Sequence, residues 1–173
     1  MADVHSPAVR SKNMRAIRGR DTKPEIWLRK CLHKLGFRYR IAPPNLPAKP
    51  DIYLPKYNAA VLVNGCFWHS HGCYLFKLPS SRKKFWQDKL SGNVERDKRN
   101  LQFLLDKNYR VLIVWECALK GKDRLQPDKL LTNIQEWLVA GDQVAVADTE
   151  GFTDVRETKR YFCRCCGKIP YSC

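Results

Sequence analysis

Residues 61–73 read VLVNGCFWHSHGC, and the rest of the chain is arranged around them. The apolar run from Ala59 to Val63 has the continuous pattern of a strand buried on both faces. Gly65 breaks it, and the eight residues from Cys66 to Cys73 hold two cysteines, two histidines and two large aromatics. A strand that breaks at a glycine and gives way to so many ligand side chains points to a reactive loop on a rigid sheet edge.

Working outward toward the N-terminus, Pro50-Asp51 opens a shorter strand, Ile52 to Leu54, and Lys56-Tyr57-Asn58 turns the chain back. A hairpin of these two strands brings Asp51 beside Val63 and Asn64, an unsuitable place for a carboxylate unless it holds a cation. Phe37 to Ile41 alternates like a further strand and ends in the proline-rich APPNLPAKP. Before it, Thr22-Lys23-Pro24-Glu25 fits a capping box, with Thr22 at N-cap and Glu25 at N3. That helix is expected to reach about Leu35, with Gly36 as its C′ residue and Leu28, Cys31, Leu32 and Leu35 as its apolar face. Glu25 at this point has a capping explanation. The arm before Thr22 carries Arg10, Lys12, Arg15, Arg18 and Arg20 and too little apolar surface to fold alone. Either a polyphosphate orders it or it is a solvated terminus.

Toward the C-terminus, RKKFWQDKL follows a helix start at Ser80 or Ser81, with Phe85, Trp86 and Leu90 as its apolar side. Gly92-Asn93 is expected to break this helix and Asn93 to cap the next, Val94 to about Lys107. On that second helix Val94, Asp97, Leu101, Leu104 and Leu105 share one face. An idle carboxylate among leucines is costly, so Asp97 is a functional candidate. Arg110 to Cys117 is another buried strand, and a last amphipathic helix starts near Pro127 with Leu130, Leu131, Ile134, Trp137 and Leu138 inward. Beyond Gly141 the pattern weakens. The element order is that of an α/β chain, a mixed sheet with helices against it.

Cys66, His71, Cys73 and Cys117 compose the three-thiolate, one-imidazole set of a closed tetrahedral zinc site. Thiolates exclude magnesium and calcium. The plainer alternative is three buried thiols and an exposed histidine, since the spacing is not that of a finger's CxxC pair. His69 is then left over as a base or phosphate contact. The 173 residues carry a net charge of +15, which attracts polyanions, nucleic acid first; a merely sticky basic surface is the alternative. No run approaches the roughly 20 apolar residues of a membrane span, and MADVHSPAVRSKNMR has no signal-peptide core. Eight cysteines without an export signal fit metal or free thiols in a reducing, cytoplasmic setting.

The runs NGCFWHSHGCYLFKLP, MRAIRGRDTKPE, LPAKPDIYLP, FWQDKLSGNVERDKRN and RVLIVWECALKG strongly resemble the very-short-patch repair (Vsr) DNA mismatch endonucleases, over about residues 1 to 140. The resemblance implies a restriction-endonuclease-like core and an active-site set similar to that of the EDxHD nucleases. It makes Asp51 the magnesium-binding carboxylate with the main-chain carbonyl of Val63, His69 the general base, Asp97 its orienting partner and Glu25 a contact to the metal's water shell. It puts Cys66, His71, Cys73 and Cys117 on the family's structural zinc ligands. Phe67, Trp68 and Trp86 match aromatics that wedge into the stack beside a mismatch, whereas pattern alone makes Trp86 core. Lys12, Met14, Arg15 and Asn64 are the further DNA contacts implied. Asn64 departs from the family, some members of which carry histidine there.

The activity implied is nicking one strand 5′ of the thymine in a T:G mismatch left by deamination of 5-methylcytosine. The implied setting is a monomer on bacterial nucleoid DNA, with a MutL-type mismatch-repair ATPase as a partner. The expected organisation is a basic arm (1–21), an endonuclease domain (22–140) and an extension (141–173), whose Cys163, Cys165, Cys166 and Cys173 are reactive thiols or a second metal site. Two competing readings are an EDxHD-type homing or standalone site-specific endonuclease and a catalytically silent zinc-stabilised DNA-binding module. The presence of Asp51, His69 and Asp97 together speaks against the silent module.

Overall fold

A computed structural model describes residues 8, 9, 12, 19–46 and 48–155, Val155 by its backbone alone. Of the DNA contacts expected from the sequence, Met14 and Arg15 lie outside the described residues, as do the four tail cysteines; Lys12 is described and exposed.

Five strands form one sheet in the order β1-β2-β3-β4-β5. β1 (Ile52–Leu54) and β2 (Ala59–Asn64) make an antiparallel hairpin that pairs Ile52 with Val61. A single 3-10 turn, Pro55–Tyr57, and Asn58 in the left-handed region (φ 48°) reverse the chain between them. β3 (Arg110–Trp115) runs parallel to β2, and β4 (Val144–Asp148) parallel to β3. β5 (Gly151–Val155) returns antiparallel to β4.

Alternation along β3 explains why its sequence is apolar throughout. Leu112 and Val114 face a core built with α1 (Lys23–Lys34) and a later helix, through Leu28, Leu32, Ile134 and Trp137. Val111, Ile113 and Trp115 face a second core on the other side, with Leu101, Leu104 and Leu105 of α2 (Lys83–Asp106). A strand covered on both faces has no polar side to show. After β3 come a one-turn helix, α3 (Glu116–Leu119), and α4 (Pro127–Ala140).

Four expectations need correction. Phe37 to Ile41 is not a strand: Arg40 makes one isolated bridge to Tyr53, and the chain then enters the left-handed region at Ala42 (φ 40°) before Pro43 and Pro44. α2 is one continuous helix of 24 residues, not two. Interior glycine costs only about 1 kcal/mol, and an unbroken α2 puts Trp86 and Leu90 on the same buried stripe as Leu101, Leu104 and Leu105. Asn93 is therefore no cap. On α1, Leu28 and Leu32 are fully buried but Leu35 is exposed, because Gly36 (φ 89°) ends the helix there. Finally, β4 and β5 lie beyond residue 140, so the sheet continues into the segment expected to be an extension. No helix among the described residues is long and apolar enough to cross a membrane.

Candidate metal centre and active-site cleft

The loop leaving β2 coils tightly. The His69 and His71 amides donate to the Gly65 and Cys66 carbonyls at 3.2 and 2.9 Å, and Ser70 takes a positive φ of 52°. This coil turns the two histidines of the loop to different surroundings.

His71 goes inward. Its ring stacks on Trp115 with centroids 4.1 Å apart and planes 12° from parallel. Nδ1 lies 3.7 Å from Cys66 Sγ and 3.5 Å from Cys117 Sγ, and the ligand atoms of Cys66, His71, Cys73 and Cys117 all lie within 4.8 Å of one another. Nε2 points to Asp148 Oδ2 at 3.9 Å, at the end of β4. The Glu116 carboxylate accepts from the Cys66 amide at 3.1 Å. Three sulfurs and one imidazole nitrogen this close fit a tetrahedral zinc, whose bonds are about 2.0–2.3 Å. A hydrogen bond from Cys66, then one with His71, holds Cys117 down at about 5, while Cys117 pushes Cys66 well above the usual thiol range. Burial raises Cys73. The cluster could hold a metal ion, and its donor set suits zinc.

His69 goes outward. Its Nδ1 meets Asp97 Oδ2 at 2.5 Å, which leaves Nε2 for chemistry in the cleft it lines. Asp97 is on the leucine-rich face of α2, as its spacing predicts, and is partly exposed. Asn93, one helical turn earlier, donates to the Trp68 carbonyl at 2.9 Å and fastens the loop to α2.

Behind the Val63 wall of the cleft, Asp51 Oδ2 accepts from the Val63 amide at 2.7 Å, the contact expected of the hairpin. Burial pushes the Asp51 carboxyl up to about 6; the Val63 hydrogen bond opposes this and nearby Glu25 reinforces it, with Arg29 and His69 pulling down. A carboxylate destabilised in this way has room for a cation's charge, and with the Val63 main chain alongside it suits an oxygen-ligated divalent ion. Glu25 is 4% exposed and lines the same cleft as Val63, Phe67, Trp68 and His69. Its capping role differs from the expected box: Thr22 Oγ1 donates to Glu25 Oε1 at 2.7 Å, and Glu25 Oε2 accepts from the amide of Asp21 at 2.8 Å rather than that of Thr22. Asn64 ends β2 opposite Trp115.

Aromatics crowd the rim. Phe67 meets Trp68 and Trp86 edge-on, with centroids 5.1 and 5.4 Å away, and Phe85 adds an exposed ring 5.3 Å from Trp86. Lys89 Nζ sits 5.5 Å from the Trp68 ring and 5.8 Å from that of Trp86. Trp86 is 9% exposed, so the core reading of its pattern and its place in the aromatic cluster both hold. Sequence reasoning passed over Arg29, Lys89 and Glu116, and also Phe76, whose ring stacks 6.3 Å from that of Phe67. Their signals were positional: Arg29 stands one turn after Glu25, and Lys89 one turn after Phe85.

Known proteins give the family. The family model described as DNA mismatch endonuclease Vsr matches residues 2–75, the segment that carries Glu25, Asp51 and the ligand loop. The DNA mismatch endonuclease Vsr of Escherichia coli (strain K12) is 46% identical over 151 residues, covering 87% of this chain and 97% of its own. The type II nicking enzyme V.XorIIP of Xanthomonas oryzae pv. oryzae is 39% identical, covering 73% of this chain and 93% of its own. Among solved structures, the catalytic domain of the homing endonuclease I-Bth0305I is 27% identical, with a TM-score of 0.46, covering 69% of this chain and 97% of that one. The family model and the relatives make the class that of DNA endonucleases. The chain belongs to the Vsr DNA mismatch endonuclease family.

Proposed function

We propose that the protein nicks one strand of duplex DNA 5′ of the thymine in a T:G mismatch, with magnesium as the catalytic ion and zinc as a structural one. The observation that carries this reading is the convergence of Glu25, Val63 and His69 on one cleft walled by Phe67 and Trp68, with Asp51 hydrogen-bonded to Val63 behind it.

Asp51 and the Val63 carbonyl would hold the magnesium, which when bound stabilises charge on the phosphate and the leaving oxygen. His69 takes the proton of the attacking water through Nε2. Asp97 fixes the tautomer and the ring plane from Nδ1 and stabilises the imidazolium that forms. Glu25 accepts hydrogen bonds from water in the cleft. Phe67 and Trp68 wedge into the stack, with Trp86 packed behind them. Unstacking costs a few kcal/mol, least at a mismatch, so deformation itself selects the site. Lys89 adds positive charge beside these rings. The arm, with Lys12, Met14 and Arg15, clasps the duplex. Asn64 stands beside the cleft as a phosphate contact. Cys66, His71, Cys73 and Cys117 would hold zinc with no open position, which makes it a structural pin. The enzyme acts as a monomer in the cytoplasm, on nucleoid DNA, with a MutL-type ATPase as its repair partner.

The test is single-turnover nicking of a panel of matched and mismatched duplexes with magnesium, beside a binding titration on the same DNA. The parent should cut the thymine strand of T:G duplexes and spare matched ones; equal cutting of matched duplex would favour a plain sequence-specific nicking enzyme. Asp51→Asn should keep T:G binding within about tenfold and lower the nicking rate by orders of magnitude. Nicking by Asp51→Asn at the parental rate would place the ion elsewhere.

A further inference from the structure

Arg29 is 6% exposed and has no role in the mechanism above, yet its guanidinium meets three separate segments of the chain, one of them through Glu25 of the cleft wall. Nε donates to the Asp51 main-chain carbonyl at 3.1 Å, Nη2 to Glu25 Oε2 at 3.1 Å, and Nη1 to Asp21 Oδ1 at 2.6 Å. The first contact fixes the start of β1, the second a side chain of α1, and the third the turn where the arm enters α1. Asp21 itself sits in the left-handed region (φ 55°), with its amide donating to the same Glu25 oxygen that Arg29 holds.

We infer that Arg29 is a positioning residue that sets Glu25 and Asp51 at their working separation and ties that separation to the entry of the N-terminal arm. This rests on the catalytic roles proposed for Asp51 and Glu25. Glu25 and Asp51 carry like charge, and a fixed cation bonded to the Glu25 carboxylate and to the Asp51 carbonyl ties their two segments together. A rigid fork with donors in several directions can hold one carboxylate and one carbonyl at once, whereas an ammonium is a point charge and cannot fix both in one plane. Because the bridge runs through the Asp51 main chain, it orients the backbone and leaves the Asp51 oxygens to Val63 and the cation.

The experiment uses the full chain and four variants: Arg29→Lys, Arg29→Met, Glu25→Gln and the Arg29→Lys/Glu25→Gln double. Single-turnover nicking of a T:G duplex is measured across a magnesium titration, with duplex affinity and thermal midpoint on the same samples. Arg29→Lys keeps the charge and guards against a variant that does not fold. The expected result is a maximal rate down about 10- to 100-fold in Arg29→Lys, a raised half-saturating magnesium concentration and unchanged duplex affinity. In the double variant the two losses should be clearly less than additive, because one of Arg29's contacts is to Glu25. Arg29→Lys at the parental rate and magnesium dependence would overturn the inference, and so would fully additive losses in the double variant. Asp51→Asn run alongside separates the two levels. If it nicks normally, the underlying catalytic reading has failed; if it is dead while Arg29→Lys is fully active, only the positioning role has.

Discussion

His69 and His71 are two residues apart on one loop and meet opposite chemistry. His71 lies flat on Trp115 among three sulfurs, with Asp148 behind its far nitrogen. His69 lines an open cleft with Asp97 behind it. The His69 imidazole is hydrogen-bonded to its carboxylate at 2.5 Å, whereas that of His71 stands 3.9 Å from Asp148. The rest of their company differs too: His71 faces soft thiols that could hold a metal, and His69 lines the cleft. A histidine's role is therefore set by what its second nitrogen is tied to and what faces the first. The tight coil between Gly65 and His71, with Ser70 at positive φ, is what gives adjacent positions such different surroundings.

The comparison can be broken at either end. The largest effect is expected on the open side: His69→Ala should lower single-turnover nicking by about 10²- to 10⁴-fold, the usual worth of a positioned base, with zinc content unchanged. Asp97→Asn should cost less, about 100-fold or under, because the histidine it orients remains. On the closed side, Asp148→Ala should weaken zinc retention by about tenfold, read as faster transfer to a chromophoric chelator, while the nicking rate of the zinc-loaded protein stays near parental. Slow chelation unchanged from the parent would mean that Asp148 does not support His71. The smallest effect concerns pH. The Asp51 carboxyl is raised to about 6 in the metal-free protein. Its proton therefore competes with magnesium, and the half-saturating magnesium concentration should climb as pH falls through about 6. The sign for stability follows the same linkage: with the folded value above the unfolded one, the metal-free fold should lose stability as pH rises through that range. A magnesium requirement flat between pH 5 and 7 would contradict it.

Much of this was readable in the residues. The zinc candidates stood out because four soft or borderline ligands share one loop and one strand end, and thiol chemistry narrows the metal. Asp51 and Asp97 stood out as carboxylates in apolar patterns, and the hairpin that brings Asp51 to Val63 follows from Asn58 and the two flanking strands. The pattern failed where tertiary packing overrode a local signal. Gly92-Asn93 looks like a break, yet one long helix buries more than two short ones. Leu35 has the spacing of a core residue, but the chain leaves the helix at Gly36 before that position meets the sheet. β4 and β5 were obscured because VAVAD is short and follows an unremarkable loop, and only pairing with β3 makes it a strand. Arg29 was illegible for a different reason. Its three partners come from residues 21, 25 and 51, and only the fold brings them to one guanidinium.

The division of labour within the loop is tested most directly by measuring zinc content, thermal midpoint and T:G nicking on His69→Ala and His71→Ala in parallel. The account predicts a crossed result: His69→Ala keeps its zinc and its thermal midpoint and loses nicking, while His71→Ala loses zinc and stability first and activity with them. His71→Ala that retains zinc and folds normally, or His69→Ala that releases it, would contradict the account.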